Sequence, residues 1–384
     1  MTTSSNSPDV AVIGAGVFGA WIAYLLRQSG QSVALFDAHG AGHTRASSGG
    51  ESRLIRMGYG DAELYTRWAA QSLTSWTALF TAKQQPLLHG TGVLWLARPD
   101  DAQMRATLVT LQRLKIQFER LDGDELVRRY PQMRLDDMAW GVLEPESGVL
   151  MARRAVQTVV DAAIALGVEY RIADVMPPTD AHWPSLATTD GERVSADTYV
   201  FACGGWLPKV FPRLLGERII LTRQEVFYFG CPAGNRNFAP PQLPAWIDFG
   251  KEVYGMPDLA GRGLKVGIDR HGPSFDPDTD DRHVSPEQLR MARDFLQLRF
   301  PSLGDAPLLE TRVCQYENTS NGDFLIDRHP NYANVWLVGG GSGHGFKHGP
   351  AVGEYVAKRI VDGGPVSSRF ALASKATVQQ RTVF

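Results

Sequence analysis

Two arginines, Arg53 and Arg56, stand three residues apart in SSGGESRLIRMGYG. A planar guanidinium serves two kinds of recognition: stacking on a flat electron-rich ring, and forked hydrogen bonding to a carboxylate or phosphate. The neighbouring acids Glu51, Asp61 and Glu63 offer the plainer alternative of ordinary ion pairs. A second basic pair, His344 and Lys347, brackets the glycine-rich loop of VGGGSGHGFKHGP. Such a loop lets backbone N–H groups come close to a ligand. Taken singly, His344 reads as a structural histidine, Lys347 as a surface lysine, and Cys314 in VCQY as an inert buried thiol.

Phosphate chemistry is signalled earlier in the chain. Gly14-Ala15-Gly16-Val17-Phe18-Gly19 is G-x-G-x-x-G, set between a β-branched run and an apolar helix, with the acid Asp37 closing the next strand. In that context Gly14 permits a tight turn, Gly16 admits a pyrophosphate to the backbone and Gly19 lets helix and strand approach. The helix N-terminus faces the phosphates with free N–H groups, and Asp37 binds ribose hydroxyls. The motif alone does not separate NAD from FAD.

These groups need a frame. A strand over 10–13, a helix over 20–27 ended by Gly30 and a strand over 32–36 form the first βαβ unit. A helix follows over 63–80. TGVLWLARP and MAWGVLEPESGVL read as strands with turns, and ARRAVQTVVDAAIALGVEY as an amphipathic helix running into a strand. DTYVFACGGW is a buried strand. RQEVFYFG, PAWIDFG, EVYGMPD and GLKVGID are short, aromatic and typical of an antiparallel sheet. SPEQLRMARDFLQLRF is a helix with a Ser-Pro start, and NVWLVGGGSGHGFKHGPAVGEYVAKRI repeats strand, glycine loop, helix. The βαβ pieces lie at the start, middle and end of the chain, so the expected α/β fold interleaves two domains: 1–84, 150–219 and 320–384 for the nucleotide, 85–149 and 220–319 for the substrate.

Composition narrows the class. The 384 residues carry a net charge of −2, with 43% hydrophobic and 21% charged. That balance argues against nucleic acid or a membrane surface as main partner. No window approaches the roughly 18 apolar residues of a membrane span, and MTTSSNSPDV does not read as a secretory signal. Cys203, Cys231 and Cys314, few and far apart, suit a reducing, cytoplasmic setting rather than a disulfide framework.

Taken together, GAGVFG, SSGGESRLIRMGYG, GLKVGIDRHGPSFDPDT, VCQY, GDFLIDRHP and GGGSGHGFKHGP resemble the monomeric sarcosine oxidase and N-methyltryptophan oxidase family of FAD amine oxidases. The likeness runs from Asp9 to about residue 360. Wider relatives are D-amino-acid, glycine, pipecolate and fructosyl-amino-acid oxidases. The resemblance implies a GR2-type FAD-binding, Rossmann-like domain interleaved with an antiparallel-sheet substrate domain, in a monomer. It implies FAD contacts from Gly14, Gly16, Val17, Phe18, Gly19, Asp37, Ser47, Arg53, Gly341, Gly343, Gly345, Phe346 and Lys347, and a flavin held covalently by Cys314 as an 8α-S-cysteinyl thioether. By the same resemblance Arg53 lies against the flavin, Arg56 and Lys347 hold a substrate carboxylate, Lys265 near flavin N5 activates oxygen, and His344, Tyr254 and Tyr316 line the pocket.

One position departs from the family: Asp269 stands where sarcosine oxidases carry a histidine. Either it faces the pocket and shifts substrate choice, or it pairs with Arg270 or His271 at the surface. The activity implied is oxidation of a secondary or N-methylated amino acid to an imine, then hydrolysis to an aldehyde or oxo acid and an amine, with hydrogen peroxide formed from oxygen. The rivals are a dehydrogenase of the same fold that passes electrons to a carrier, an NAD-dependent enzyme, and a noncatalytic flavin-binding subunit.

Overall fold

The computed structural model describes residues 7–176 and 186–380; the polar leader over 1–6 lies outside them. Val10–Ile13 forms a central strand of a six-stranded sheet whose spatial order is Leu325–His329, Tyr332–Gly339, Thr198–Phe201, Val10–Ile13, Val33–Asp37, Glu169–Ile172. All joins are parallel except the outermost one, between Leu325–His329 and Tyr332–Gly339. Parallel neighbours require a crossover, and helix Val17–Gln28 supplies the first. That helix is apolar nearly all round, burying Val17, Phe18, Ala20, Trp21, Ile22, Ala23 and Leu26. It packs against helices Ala152–Ala165 and Gly349–Val361. Trp21 also meets Trp76 edge-on, with ring centroids 5.0 Å apart.

The second sheet has eight strands in the order Leu308–Thr319, Ile219–Phe229, Leu264–Ile268, Val253–Met256, Ala245–Asp248, Val93–Ala97, Trp140–Glu144, Glu119–Asp122. Its joins are antiparallel, as the short aromatic runs suggest, with one correction. Val93–Ala97 and Ala245–Asp248 pair in parallel, because they come from distant parts of the chain and not from a hairpin. A small third sheet pairs Arg53–Ile55 with Gly148–Leu150, which also pairs with Leu88–His89. This short sheet is what fixes the first arginine of the pair.

Among the elements that escape the sequence pattern, two bear on the site. Helix Ala102–Arg113 is capped by Asp101, which accepts from the Met104 amide at 2.9 Å, and it buries two threonines. Strand Leu308–Thr319 carries Cys314, Tyr316 and the buried polar pair Gln315 and Glu317. No helix among the described residues is long and apolar enough to cross a membrane.

Candidate active site

The glycine turn opens one side of a deep cleft. Gly14 has φ +105°, and a Cβ added at Gly19 would stand 1.8 Å from the Gly14 carbonyl oxygen, so helix and strand meet backbone to backbone. Gly16 differs: a Cβ there would meet only the Ser48 hydroxyl, at 3.5 Å, and otherwise looks into the cleft. Gly14, Gly16, Val17, Phe18, Asp37 and Ser47 line this space, and Gly19 lies behind its wall. The Asp37 carboxylate is already shared among the Ala15, His39 and Gly40 amides at 2.8, 2.9 and 2.9 Å. An ionised carboxylate has about four acceptor positions, so Asp37 shapes the turn and keeps capacity for a hydroxyl donor. The Val17 amide, expected to be free, donates to Ser48 Oγ at 3.0 Å.

The cleft continues past Ala46 into a second, smaller cavity. Arg53, Arg56, Tyr254, Lys265, Asp269, Cys314, Tyr316, Gly343, His344, Phe346 and Lys347 all line it. Residues spread over some 300 positions of sequence thus share one space. Gly341 and Gly345 line neither cavity; they pack on one another, and an added Cβ at Gly345 would lie 2.9 Å from Gly341 Cα.

Arg53 donates to the carbonyls of Ser52 and Ser47 at 2.9 and 2.8 Å and to Cys314 Sγ at 3.3 Å. The acids nearby are engaged elsewhere: Glu51 pairs with Arg153 and Arg312, and Glu63 with Arg67 and Arg113. Arg56 is 7% exposed, donates to the Gly58 carbonyl and stacks 4.3 Å from the Tyr59 ring centroid and 4.9 Å from that of Trp95. Lys347, 4% exposed, donates to Tyr59 Oη at 2.9 Å and to the His344 carbonyl at 3.0 Å. Burial, and then the charge of Arg56, hold its pKa well below the usual lysine value. Lys265 is 1% exposed and donates to the Ser52 carbonyl at 3.0 Å; burial, then Arg53, depress its pKa in the same way. Two amines beside two guanidiniums in a buried pocket give it a charge balance suited to an anion.

Asp269 faces this cavity and not the surface. Its carboxylate accepts from Tyr316 Oη at 2.7 Å, and its pKa is raised by burial against the opposing effect of that bond. The surface alternative is excluded for Arg270, which pairs with Glu252 at 2.7 Å. Tyr316 lies across Gly343, where an added Cβ would stand 2.8 Å from the ring and φ is +77°. Tyr254 covers Gly267 in the same manner, at 2.5 Å. Of the three cysteines, burial raises Cys203 strongly and pushes Cys231 up to about 11, so both thiols stay protonated.

Several groups that hold the site are absent from the sequence-based set. Glu144, 1% exposed, accepts from the Met57 and Gly58 amides at 2.6 and 2.9 Å, from Trp95 Nε1 at 2.7 Å and from Ser147 Oγ at 2.5 Å. It thereby fixes the peptide that receives Arg56. Tyr59 Oη lies 2.8 Å from His348 Nε2 and 3.3 Å from His344 Nδ1, and His344 Nε2 donates to the Gly322 carbonyl at 3.0 Å. Thr107 and Thr110 bind the Gly60 amide and carbonyl at 2.9 and 2.7 Å, which explains the polar buried face of their helix. Trp76 donates to the Lys347 carbonyl at 3.1 Å and stacks on Phe346, fixing the loop from behind.

The described geometry suits a nucleotide cofactor in the glycine cleft whose reactive end reaches the cavity. Comparison with known proteins agrees. The family model described as FAD dependent oxidoreductase matches residues 9–359. The chain is 30% identical over 364 residues to the monomeric sarcosine oxidase of Bacillus sp. (strain NS-129), covering 92% of this chain and 93% of that protein. It is 28% identical over 354 residues to the N-methyl-L-tryptophan oxidase of Salmonella heidelberg (strain SL476), covering 91% and 93%. Among solved structures, L-proline dehydrogenase from P. horikoshii superposes with a TM-score of 0.82 at 19% identity, over 96% of this chain and 97% of that one, a likeness of fold.

Proposed function

The chain belongs to the FAD-dependent oxidoreductase family, and we propose that it is a flavoprotein oxidase of a secondary or N-methylated amino acid. The observation that carries this reading is the meeting, in one buried cavity continuous with the glycine cleft, of Arg56 and Lys347 with Lys265, Asp269 and Cys314. FAD supplies a two-electron acceptor that oxygen restores. The rest falls to the chain's own residues. Arg56 and Lys347 bind the substrate carboxylate and so aim the C–H beside nitrogen at the acceptor. Tyr254, Tyr316 and His344 shape the wall and exclude water. Asp269 faces the amine and selects among amines. Lys265 places a cation where oxygen gains negative charge, which favours oxygen over a carrier protein as acceptor. The imine released is hydrolysed to an aldehyde or oxo acid and a shorter amine, with hydrogen peroxide as second product.

Two finer assignments belong to the same reading. Cys314 is the flavin attachment point: its sulfur lines the cavity beside Arg53, while the other two thiols are held protonated. The chain divides into 1–84, 150–219 and 320–384 around FAD and 85–149 and 220–319 around substrate; the six-stranded and eight-stranded sheets draw their strands from these two sets. The test is anaerobic mixing of the purified yellow protein with N-methyl, cyclic and primary amino acids. Bleaching of the flavin spectrum by the first two groups supports the reading, and bleaching by none of the three groups overturns it.

A further inference from the structure

Glu317 is a buried carboxylate that no step of the proposed reaction uses. It sits on strand Leu308–Thr319 between the two cavities: Cys314 and Tyr316 line the inner cavity, whereas Glu317 lines the glycine cleft. It is 7% exposed, and its pKa is raised by burial against the opposing influence of the Ser47 hydroxyl, the Gly341 backbone and Arg53. Its partner is the Ser47 hydroxyl, which donates to Glu317 Oε1. Ser47 in turn offers its carbonyl to Arg53 Nη2 at 2.8 Å and lies 3.8 Å from Cys314 Sγ. The backbone around Glu317 is pared back on two sides. Cβ atoms added at Gly204 and Gly341 would each stand 3.2 Å from its carboxylate oxygens.

We propose that Glu317 is a cofactor-positioning residue, whose carboxyl group grips the hydroxylated chain joining the flavin ring to the pyrophosphate and, through Ser47, sets Arg53 and Cys314 against the ring. This rests on the reading that the cleft and the cavity hold opposite ends of one FAD. The two spaces meet at Ala46, next to Ser47, so whatever joins the ends passes this point. That link is a polyol, with donors and acceptors that a carboxyl group satisfies and an apolar side chain does not. The Ser47 hydroxyl takes one acceptor position of the Glu317 carboxyl group and leaves capacity for the polyol. The cleft's other acids include Asp37 and Asp174, and Asp37, bound to the Ala15 amide of the glycine turn, is placed for the nucleotide and not for the link.

The test uses the full-length chain carrying Cys314→Ser, so that flavin binding is reversible, and compares Glu317→Ala and Glu317→Gln by equilibrium titration. The probes are FAD, riboflavin, which carries the polyol, and ADP, which does not. Glu317→Ala weakens FAD and riboflavin by about 10- to 100-fold, the worth of one hydrogen bond to a charged group, and leaves ADP unchanged. Glu317→Gln, able to donate and accept, keeps most of the affinity and also guards against a misfolded alanine variant. Unchanged FAD affinity in Glu317→Ala overturns the assignment. So does an equal loss of ADP, which would report collapse of the cleft. Failure of ADP and riboflavin each to compete with FAD in the Cys314→Ser parent would instead strike the two-ended reading.

Discussion

Removing one arm of the carboxylate clamp should show both the anion and the proton that accompanies it. Lys347 has three donors when protonated; two are taken by Tyr59 Oη and the His344 carbonyl, which leaves one for substrate. Arg56 donates to the Gly58 carbonyl and is held between Tyr59 and Trp95, so little ordering is left for substrate to impose. Each arm is worth about 1.5–3 kcal/mol as a charge-assisted hydrogen bond, or roughly 10- to 150-fold in affinity. The sign of the pH effect follows from Lys347. Burial and Arg56 lower its pKa in the free site, and a bound carboxylate raises it again. Binding therefore takes up a proton at any pH between the two values. Affinity for a simple carboxylate such as propionate is flat below the free-site pKa and falls above it, by up to about tenfold per pH unit. Calorimetry in buffers of different ionisation heat measures the proton uptake directly. Lys347→Met should weaken propionate and abolish the uptake, while Arg56→Met should weaken it and keep the uptake. Neither variant should alter binding of propionamide by a comparable factor. Equal loss of acid and amide, or no proton uptake by the wild-type protein, would refute the clamp.

Other consequences are as direct. Acid precipitation of the holoprotein should carry the yellow colour into the pellet and Cys314→Ser should release it; colour in the wild-type supernatant removes the covalent link. Lys265→Met should slow the reaction with oxygen by roughly two orders of magnitude or more, the scale of losing one preorganised electrostatic partner, with anaerobic amine oxidation little changed; stopped-flow measurement of the two half-reactions separates them, and an unaltered oxygen rate excludes Lys265. Asp269→Asn should change the ranking of substrates across sarcosine and larger or more basic amines, because the carboxylate faces the cavity beside Arg56 and Lys347; an identical ranking would show that Asp269 plays no part in selection.

How much of this could be read from the chain depends on whether the cause is local. The strand–glycine turn–helix over 10–37 is local: turn chemistry and an apolar helix determine it, and the structure follows within three residues, the helix starting at Val17 and not at residue 20. The clustering of Arg56, Lys265, Asp269, Cys314 and Lys347 was an implication of the family resemblance alone, since each of these residues taken singly reads as structural. What stayed hidden depends on contacts far apart in sequence. Glu144 is unremarkable in EPESG until the Met57 and Gly58 amides reach it. His348 carries no signal of its own in GFKHGP, yet it is fully buried against Tyr59. Strand Leu308–Thr319 breaks the apolar alternation because its buried face carries Gln315 and Glu317, and the helix bearing Thr107 and Thr110 does so because its inner face binds a peptide. In each case the polar residue that spoils the pattern is there to hold something. The position of Asp269 was the open choice of the sequence, and the fold settles it toward the cavity.

The central claim is that electrons from a secondary amino acid pass through the flavin to oxygen without a carrier protein. Oxygen uptake and peroxide release, followed together over a panel of N-methyl and cyclic amino acids with purified holoprotein and no added carrier, test it most directly. The account predicts equimolar oxygen consumption and peroxide formation with at least one of these substrates, together with the matching aldehyde or oxo acid. Substrate oxidation that proceeds only when an artificial electron acceptor is supplied, with no peroxide formed, would contradict it.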